Sequence, residues 1–273
     1  MGKMEIEKVL KILNFEVARK EIAIAETNKI IEGKQAIVRQ DNDTVLGIVS
    51  KDYRLIKHGD AMSSPALTLL KEGYDVQECY QIKNGAKAVI EMRTTDITKI
   101  NGEDYKLRLF ILNSYDGSTS LKMQFGLFRL TCLNGCGYII KDSEEVRSIT
   151  HIGEDKLFDK EIVLNFVKNQ ERYVKSYEEI IAKLGDYKVG DEEHAKKILE
   201  EMKYFGKRTV KQIIDEWKRD INYMPNLSGL MNGVTSLYSR KIEDSKKNTG
   251  NKLLHSQWQT NRTLKKMLEL TVK

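Results

Sequence analysis

Two hydrophobic patterns divide the chain. After an amphipathic helix predicted over Met4 to Leu13, apolar and polar positions alternate with a period of two through about residue 150. Beyond about residue 155, apolar residues recur at helical spacing. The pattern predicts an α+β protein, with an antiparallel sheet of five or more strands in the N-terminal half and a helical C-terminal half. We divide the chain into residues 1–155, mainly antiparallel β, and 156–273, helical, and expect the two regions to pack as one unit.

Turn residues locate the predicted hairpins. Asp41-Asn42-Asp43 has the composition of a hairpin loop. Asn84-Gly85, inside the hairpin Val76 to Thr94, favours a type I′ turn because both residues tolerate positive φ. Other strands are predicted at Gln35 to Arg39, Val45 to Ser50, Tyr105 to Leu112 and Ser120 to Leu133.

Start and stop signals delimit the predicted helices. A short helix is expected over Met62 to Lys71, with Ser63 or Ser64 as its N-cap and Pro65 in its first turn. A long helix is expected over Leu157 to Leu184, closed by Gly185. Further helices are predicted at Glu192 to Tyr204, Thr209 to Asn222, Leu227 to Ser239 and Leu253 to Leu270.

Composition restricts the class of protein. With 273 residues and 40% hydrophobic content, the chain can build a sizeable core. The sequence has no run of about 20 apolar residues and no apolar segment after its N-terminus, so we expect a cytoplasmic protein with no membrane partner. Cys79, Cys132 and Cys136 are an odd number in a large domain, which favours buried, reduced thiols.

The positive charge is concentrated at one end of the chain. The net charge is +6, and residues 240–273 contain nine Lys or Arg against three Asp or Glu, so this segment carries the whole excess. A basic segment attracts phosphate backbones through counterion release. The alternative is a solvated helix whose lysines keep the protein soluble.

Basic residues are interleaved with aromatic ones, as in proteins that hold single-stranded nucleic acid. The alternative is an ordinary exposed sheet face, in which Lys and Arg lie beside an acid such as Glu78 or Glu91. The candidate nucleic-acid-binding residues are Tyr53, Arg54, Lys57, Lys83, Lys87, Arg93, Arg108, Arg129, Lys246, Lys247, Trp258, Arg262, Lys265 and Lys266.

The segment Asn113-Ser114-Tyr115-Asp116-Gly117-Ser118 interrupts two strongly apolar stretches. As structure, Asp116-Gly117 turns the chain while Asn113 and Ser114 satisfy backbone groups. As a site, it presents an amide, hydroxyls, a phenol and a carboxylate that suit contacts to phosphate and sugar. Composition favours the structural interpretation and leaves the other open.

Motifs for cofactors and metals are missing. The sequence contains neither G-x-x-x-x-G-K-[ST] nor a strand-linked G-x-G-x-x-G, so we expect no nucleotide cofactor. Cys132 and Cys136 lack the further ligands that a zinc site needs, so we expect no metal. If the protein is an enzyme, the candidate catalytic residues are Asn113, Asp116 and His151.

Four sequence blocks carry a resemblance to a known family. They are Val45 to Arg54 (VLGIVSKDYR), Asn113 to Ser118 (NSYDGS), Ile149 to His151 (ITH) and Leu230 to Thr235 (LMNGVT). Together they resemble the phage- and plasmid-associated family of domain of unknown function 932, from about Phe15 to Leu270. The resemblance implies a mobile-element origin, hence the host cytoplasm for a phage-encoded chain, but no activity.

Three functional hypotheses follow. The first is a nucleic-acid-binding accessory protein of a phage or plasmid that holds single strands in recombination or annealing, a role with a loose fold-level analogy to Rad-fifty-two-type annealing proteins. The second is a non-enzymatic inhibitor that binds a host-defence protein. The third is an unrecognised hydrolase or nuclease. None of them fixes the oligomeric state, and a homo-oligomer stays open.

Overall fold

The computed structural model describes residues 4–100, 102–130, 134–136, 146–153, 156–219, 223–243 and 249–272. The strands are β1 (Val17–Lys20), β2 (Lys34–Arg39), β3 (Val45–Ser50), β4 (Tyr74–Ile82), β5 (Lys87–Thr94), β6 (Thr98–Ile100), β7 (Glu103–Ser114), β8 (Leu121–Arg129), β9 (Asn134–Cys136) and β10 (Val146–Ile149). The helices are α1 (Ile6–Leu13), α2 (His58–Lys71), α3 (Lys160–Val167), α4 (Gln170–Asp186), α5 (Glu192–Glu201), α6 (Lys207–Trp217), α7 (Leu227–Glu243) and α8 (Thr249–Thr271). Strands lie mostly in the N-terminal half and helices mainly in the C-terminal half, which confirms the α+β prediction.

The chain forms two compact units that alternate along the sequence. Unit 1 comprises Met1–Thr95, Arg108–Gln124 and Glu144–Lys168. Unit 2 comprises Asp96–Leu107, Phe125–Ser143 and Asn169–Lys273. Strands β7 and β8 therefore supply residues to both units.

The described strands pair in the antiparallel direction. A small sheet has the order β1-β2-β3, and a second sheet has the order β10-β8-β7-β5-β4. With β6 on β7 and β9 on β8, the second sheet has seven strands among the described residues, which confirms the prediction of five or more. In unit 1, β5 pairs with β7 from Lys87 opposite Ser114 to Arg93 opposite Arg108.

Tyrosines form the centre of a buried cluster in unit 1. Tyr53 and Tyr115 pack with Ile37, Leu46 and Val49, all of them buried. Gly47 on β3 lies so close to this cluster that a Cβ there would be 2.5 Å from the Cα of Asp116. The small sheet thus packs directly against the turn that follows β7, and both belong to unit 1.

The β4–β5 hairpin is present, and Asn84-Gly85 forms its predicted turn. Ile82 and Lys87 form the last strand pair, so Lys83 to Ala86 connect the two strands. Asn84 has φ of 59° and ψ of 22°, Gly85 has φ of 99°, and the peptide N–H of Ala86 donates to the carbonyl of Lys83. Positive φ at both central residues of a hydrogen-bonded turn is the geometry of type I′, which confirms the prediction. Lys83 also has positive φ.

Helix α2 begins before its predicted N-cap. It starts at His58, so Ser63 and Pro65 lie inside it, and Lys57 at its N-cap makes no side-chain capping bond. The Oγ of Ser63 instead donates to the carbonyl of Gly59. The start of α2 is therefore fixed by the tertiary contacts of His58 and by the burial of the following turns, and not by a capping side chain.

The predicted helix over Leu157 to Leu184 is two helices, α3 and α4, separated at Lys168 and Asn169. Gly185 lies inside α4 rather than closing it. Periodicity alone does not reveal the break, because apolar spacing continues across it. The four remaining predicted helices are confirmed as α5, α6, α7 and α8, with shifted ends.

Helix α7 packs against α4, α6 and α8 in unit 2. Its residues Leu230, Met231 and Val234 are fully buried. The hydroxyl of Ser236 donates to Glu216 of α6 at 2.8 Å, which satisfies a buried carboxylate oxygen. The sequence block Leu230 to Thr235 is therefore part of the core of unit 2.

Candidate functional site

Three of the four sequence blocks converge in unit 1. The ring of His151 stacks on Tyr53, with centroids 4.8 Å apart and 14° between the planes. The peptide N–H of Arg54 donates to the carbonyl of His151 at 2.7 Å, and the hydroxyl of Tyr53 donates to the carbonyl of Ser114 at 2.8 Å. The blocks at 45–54, 113–118 and 149–151 thus form one packed cluster.

A buried hydrogen-bond network fixes the first residue of the turn. Asn113 donates from Nδ2 to the carbonyl of Ile56 and to Nδ1 of His58, each at 3.0 Å. Nε2 of His58 lies 2.9 Å from the carbonyl of Gly85, which can only accept, so Nε2 carries the proton. Burial lowers the pKa of His58 to about 4 and keeps the imidazole neutral.

The turn satisfies most of its own polar groups. The hydroxyl of Ser114 donates to the carbonyl of Thr119 at 2.7 Å. The carboxylate of Asp116 accepts from the peptide N–H of Ser118 at 3.0 Å and from its hydroxyl. Tyr115 accepts a hydrogen bond from the peptide N–H of His58. These are the contacts expected if the turn has a structural role.

The three candidate catalytic residues occupy different surroundings. Asn113 is fully buried, with its Oδ1 unpartnered among the described residues, while Asp116 lies 3.9 Å from Lys87. His151 is held by its Nδ1 against the carbonyl of Arg54. Burial lowers the pKa of His151, so its ring is neutral at pH 7. Among the contacts of the described residues, none joins His151 to Asn113 or Asp116.

Several predicted cations are paired inside the protein. The carboxylate of Glu91, fully buried, accepts from Arg93 at 2.8 Å and from Arg108 at 2.7 and 2.6 Å. Burial alone would raise the pKa of Glu91, but the two guanidinium groups outweigh it and hold the pKa below its ordinary value. Arg129 pairs with Glu103 in unit 2. These three arginines therefore form ion pairs with carboxylates of the folded protein.

The other predicted cations of unit 1 are closer to solvent. Arg54 donates to the carbonyl of Lys156, and Lys57 pairs with Glu16 at 2.7 Å. Lys83 is exposed. Lys87, half-buried, makes the long contact to Asp116 described above.

Unit 2 contains a cleft with a different character. We call it the C-terminal cleft; its volume is about 330 Å³, and its lining residues are Tyr204, Phe205, Thr209, Tyr238, Lys252, His255 and Gln259. Tyr204 and Phe205 precede α6, and Tyr238 lies on α7. Spacings of three and four residues place Lys252, His255, Gln259 and Arg262 on one side of α8. Three helices and one connection therefore surround the cleft.

Arg262 and Trp258 of α8 adjoin the cleft, because Arg262 contacts both Trp258 and the lining residue Tyr204. Arg262 lies over the Tyr204 ring at 4.0 Å and over the Trp258 ring at 5.3 Å. The rings of His255 and Trp258 are 6.2 Å apart and 31° from parallel. Trp258 is 54% exposed, whereas Trp217 is 2% exposed. An exposed indole beside an ordered cation is a platform on which a base can stack.

The phenols of the cleft are uncharged at neutral pH. Burial raises the pKa of Tyr204, although its hydrogen bond to Thr263 and the nearby Arg262 oppose the shift. Burial also raises the pKa of Tyr238 to about 12. Two basic residues lie at the cleft: Lys252 lines it, and Arg262 lies beside it against the Tyr204 ring.

Sequence reasoning found residues beside this cleft. It named Trp258 and Arg262, which adjoin the cleft, but it missed the lining residues Tyr204, Phe205, Tyr238 and Gln259. The one available signal was the three- and four-residue spacing from Lys252 to Arg262. Lys265 is exposed, Lys266 pairs with Glu269 at 2.7 Å, and Lys246 and Lys247 lie outside the described residues.

We next consider the cysteines and the side chains that could bind a metal, within the described part of the chain. Cys79 is a buried free thiol, and burial raises its pKa to about 12. Cys132 and the side chain of Cys136 lie outside the described residues. Among the residues described, no three His, Cys, Asp or Glu side chains gather as metal ligands do. Within those same ranges, none of the helices has the length and apolar character needed to cross a membrane.

Comparison with known proteins defines the class and then the family. The fold is an α+β arrangement with antiparallel sheets of three and seven strands among the described residues. Residues 45–265 match the family described as Domain of unknown function (DUF932), and the chain belongs to this family. No curated protein and no solved structure gives a significant match.

Proposed function

We propose that the protein binds single-stranded nucleic acid and that the C-terminal cleft, with the adjoining Arg262 and Trp258, is the main contact site. The observation that carries the proposal is the contact of Arg262 with the rings of both Tyr204 and Trp258. Single strands are held where bases stack on aromatic side chains and cations follow the phosphates. Here both groups lie on one face of α8.

The charge distribution supports the same proposal. The whole net charge of +6 lies in residues 240–273, which include all of α8. Lys252 and Arg262 stand about ten residues apart on this helix, which is about 15 Å along its axis. Two phosphates of an extended strand can reach both cations while a base enters between them.

A single strand suits the cleft better than a duplex. In a duplex the faces of the bases are stacked on one another, so an aromatic platform has no face to contact. The exposed ring of Trp258 is useful only to a base that has left such a stack. Duplex binding would depend on the lysines alone.

The test is direct titration of labelled oligonucleotides by fluorescence anisotropy at 50 mM and 200 mM salt. We expect wild-type protein to bind a 20-mer single strand more tightly than the matching duplex. Trp258→Ala should weaken the single-strand complex by about 1–3 kcal/mol with little change in salt dependence. Tyr223→Ala is the matched control, since Tyr223 is a 52% exposed aromatic residue of unit 2 outside the cleft.

Two results would count against the proposal. The first is an absence of single-strand binding by wild-type protein at 50 mM salt. The second is an equal loss of affinity in Trp258→Ala and Tyr223→Ala, because that would show a general effect of removing exposed rings rather than a stacking site.

A further inference from the structure

One amide oxygen in the C-terminal cleft lacks a partner. Gln259 is 9% exposed and lines the cleft, and its Oε1 is buried with no hydrogen-bond partner among the described residues. The hydroxyl of Thr263 donates to the main-chain carbonyl of Gln259, so it leaves the side-chain oxygen free. A buried acceptor without a donor is unfavourable, and a ligand that donates there removes the penalty.

The surroundings of Gln259 restrict the donor. Tyr238 and His255 line the cleft beside it, and their rings meet edge to face with centroids 6.2 Å apart. Tyr204 and Phe205 close another side, with ring centroids 4.6 Å apart. A volume of about 330 Å³ between such rings fits one flat heterocycle. The donor is therefore expected on the edge of a ring.

We propose that the C-terminal cleft selects a nucleobase with an exocyclic amino group, whose N–H donates to Oε1 of Gln259. This inference rests on the proposed function and gives it a base preference. Adenine, cytosine and guanine carry such an amino group, whereas thymine and uracil carry none. Where cytosine has its amino group, thymine and uracil have a carbonyl oxygen, which would face Oε1 with a second acceptor, so these two bases are disfavoured.

The probes are 12-mer strands with abasic sites at all positions except one in the centre. The central base is adenine, purine without its amino group, or thymine, and a fully abasic strand is the control. We expect wild-type protein to bind the adenine strand about 5- to 10-fold more tightly than the purine strand, as one hydrogen bond predicts. The purine probe keeps the two fused rings, so stacking is held nearly constant.

Two variants separate the contact from the fold. Gln259→Leu removes the acceptor at similar volume, and we expect equal affinity for the adenine and purine strands with no fall in melting temperature. Gln259→Glu has only acceptor oxygens, so it should keep the preference for adenine over purine while its added charge lowers all affinities.

The outcomes distinguish this inference from the proposed function. If wild-type protein binds every 12-mer with the same affinity, the base preference is wrong while strand binding stands. If Gln259→Leu keeps the preference for adenine, Gln259 is not the contact and the inference fails. If no strand binds, both proposals fail.

Competition with adenosine monophosphate shows whether the bound base belongs to a strand or to a free nucleotide. As a competitor, it should displace the adenine strand only at much higher concentrations than the unlabelled strand, because it offers a single phosphate and a single base. Displacement at equal concentration that is lost in Gln259→Leu would support the base contact but contradict strand binding.

Discussion

The guanidinium carbon of Arg262 lies 4.0 Å from the centre of the Tyr204 ring, which holds the cation on an aromatic face. The hydroxyl of Tyr204 in turn donates to the hydroxyl of Thr263, the residue after Arg262 on α8, at 3.1 Å. Because both side chains make these contacts without a ligand, less conformational entropy is lost on binding. The cleft is therefore preorganised on its cationic side.

Removing this cation should change the salt dependence of binding. Arg262→Gln should weaken single-strand binding and reduce the slope of log affinity against log salt by roughly 0.7, the value for one neutralised phosphate on a single strand. Lys183→Gln removes an exposed cation of α4 in the same unit and should leave the slope unchanged. Titrations at four salt concentrations measure both slopes. Equal slopes for wild type and Arg262→Gln would show that Arg262 contacts no phosphate.

The lysines near the C-terminus make a second contribution of the same kind. Changing Lys246, Lys247, Lys265 and Lys266 to glutamine should lower the slope by roughly 0.7 for each phosphate that the protein no longer neutralises. If single-strand binding survives these changes together with Trp258→Ala, the contact site lies instead among the basic residues of unit 1.

Gly85 tests the four-residue connection between β4 and β5. Its φ is +99°, and a Cβ there would be 2.7 Å from Cζ of Phe15. Gly85→Val should therefore destabilise the fold by about 2 kcal/mol or more, through backbone strain and a steric clash. Gly33→Val is the control, since Gly33 has φ of +72° but no atom within 4 Å of its Cβ position. Urea unfolding with equal losses in the two variants would show that Phe15 is not in contact with Gly85.

The buried carboxylate of Glu91 should be sensitive to a neutral replacement. Glu91→Gln leaves Arg93 and Arg108 buried without a countercharge, so we expect a loss of about 3–5 kcal/mol in the free energy of unfolding. Glu192→Gln breaks the exposed pair with Lys218 and should cost far less, because solvent screens this pair. A small loss in Glu91→Gln, measured by denaturant unfolding, would mean that water reaches the arginines.

Acid should destabilise the protein through His58. Its pKa is about 4 in the folded protein and near 6.5 when unfolded, so below pH 6.5 the unfolded chain binds the proton more readily. The contribution is fully present above pH 6.5 and is lost as the pH falls towards 4, by about 3 kcal/mol in total. His58→Gln cannot titrate here, so its unfolding free energy should fall less than that of wild type between pH 7 and pH 4.5. Parallel losses in the two proteins would contradict a buried neutral His58.

Hydrophobic periodicity predicted the elements whose burial is one-sided. The hairpin loop at Asp41 to Asp43 and strand β3 follow directly from turn chemistry and from alternation. The start of α2 could not be predicted in this way, because His58 is fixed by Tyr115 and Gly85, which are distant in sequence. Local signals at Ser63 and Pro65 pointed to a later start.

The same distinction between local signals and tertiary contacts applies to the candidate site residues. The helical spacing of Lys252, His255 and Arg262 is visible in the sequence, because all three lie on α8. Tyr204 and Tyr238 join them only through tertiary packing. For Arg93 and Arg108, alternation indicated an exposed face, whereas in the fold both pair with buried Glu91.

The central claim, that bases stack on Trp258, is tested most directly by intrinsic fluorescence. The protein has two tryptophans, of which Trp258 is 54% exposed and Trp217 is 2% exposed. We predict that a single-stranded oligonucleotide quenches the exposed component in wild-type protein. In Trp258→Phe, which keeps an aromatic platform, the strand should still bind by anisotropy while the quenching disappears. Binding by wild-type protein with no change in the emission of Trp258 would contradict the account.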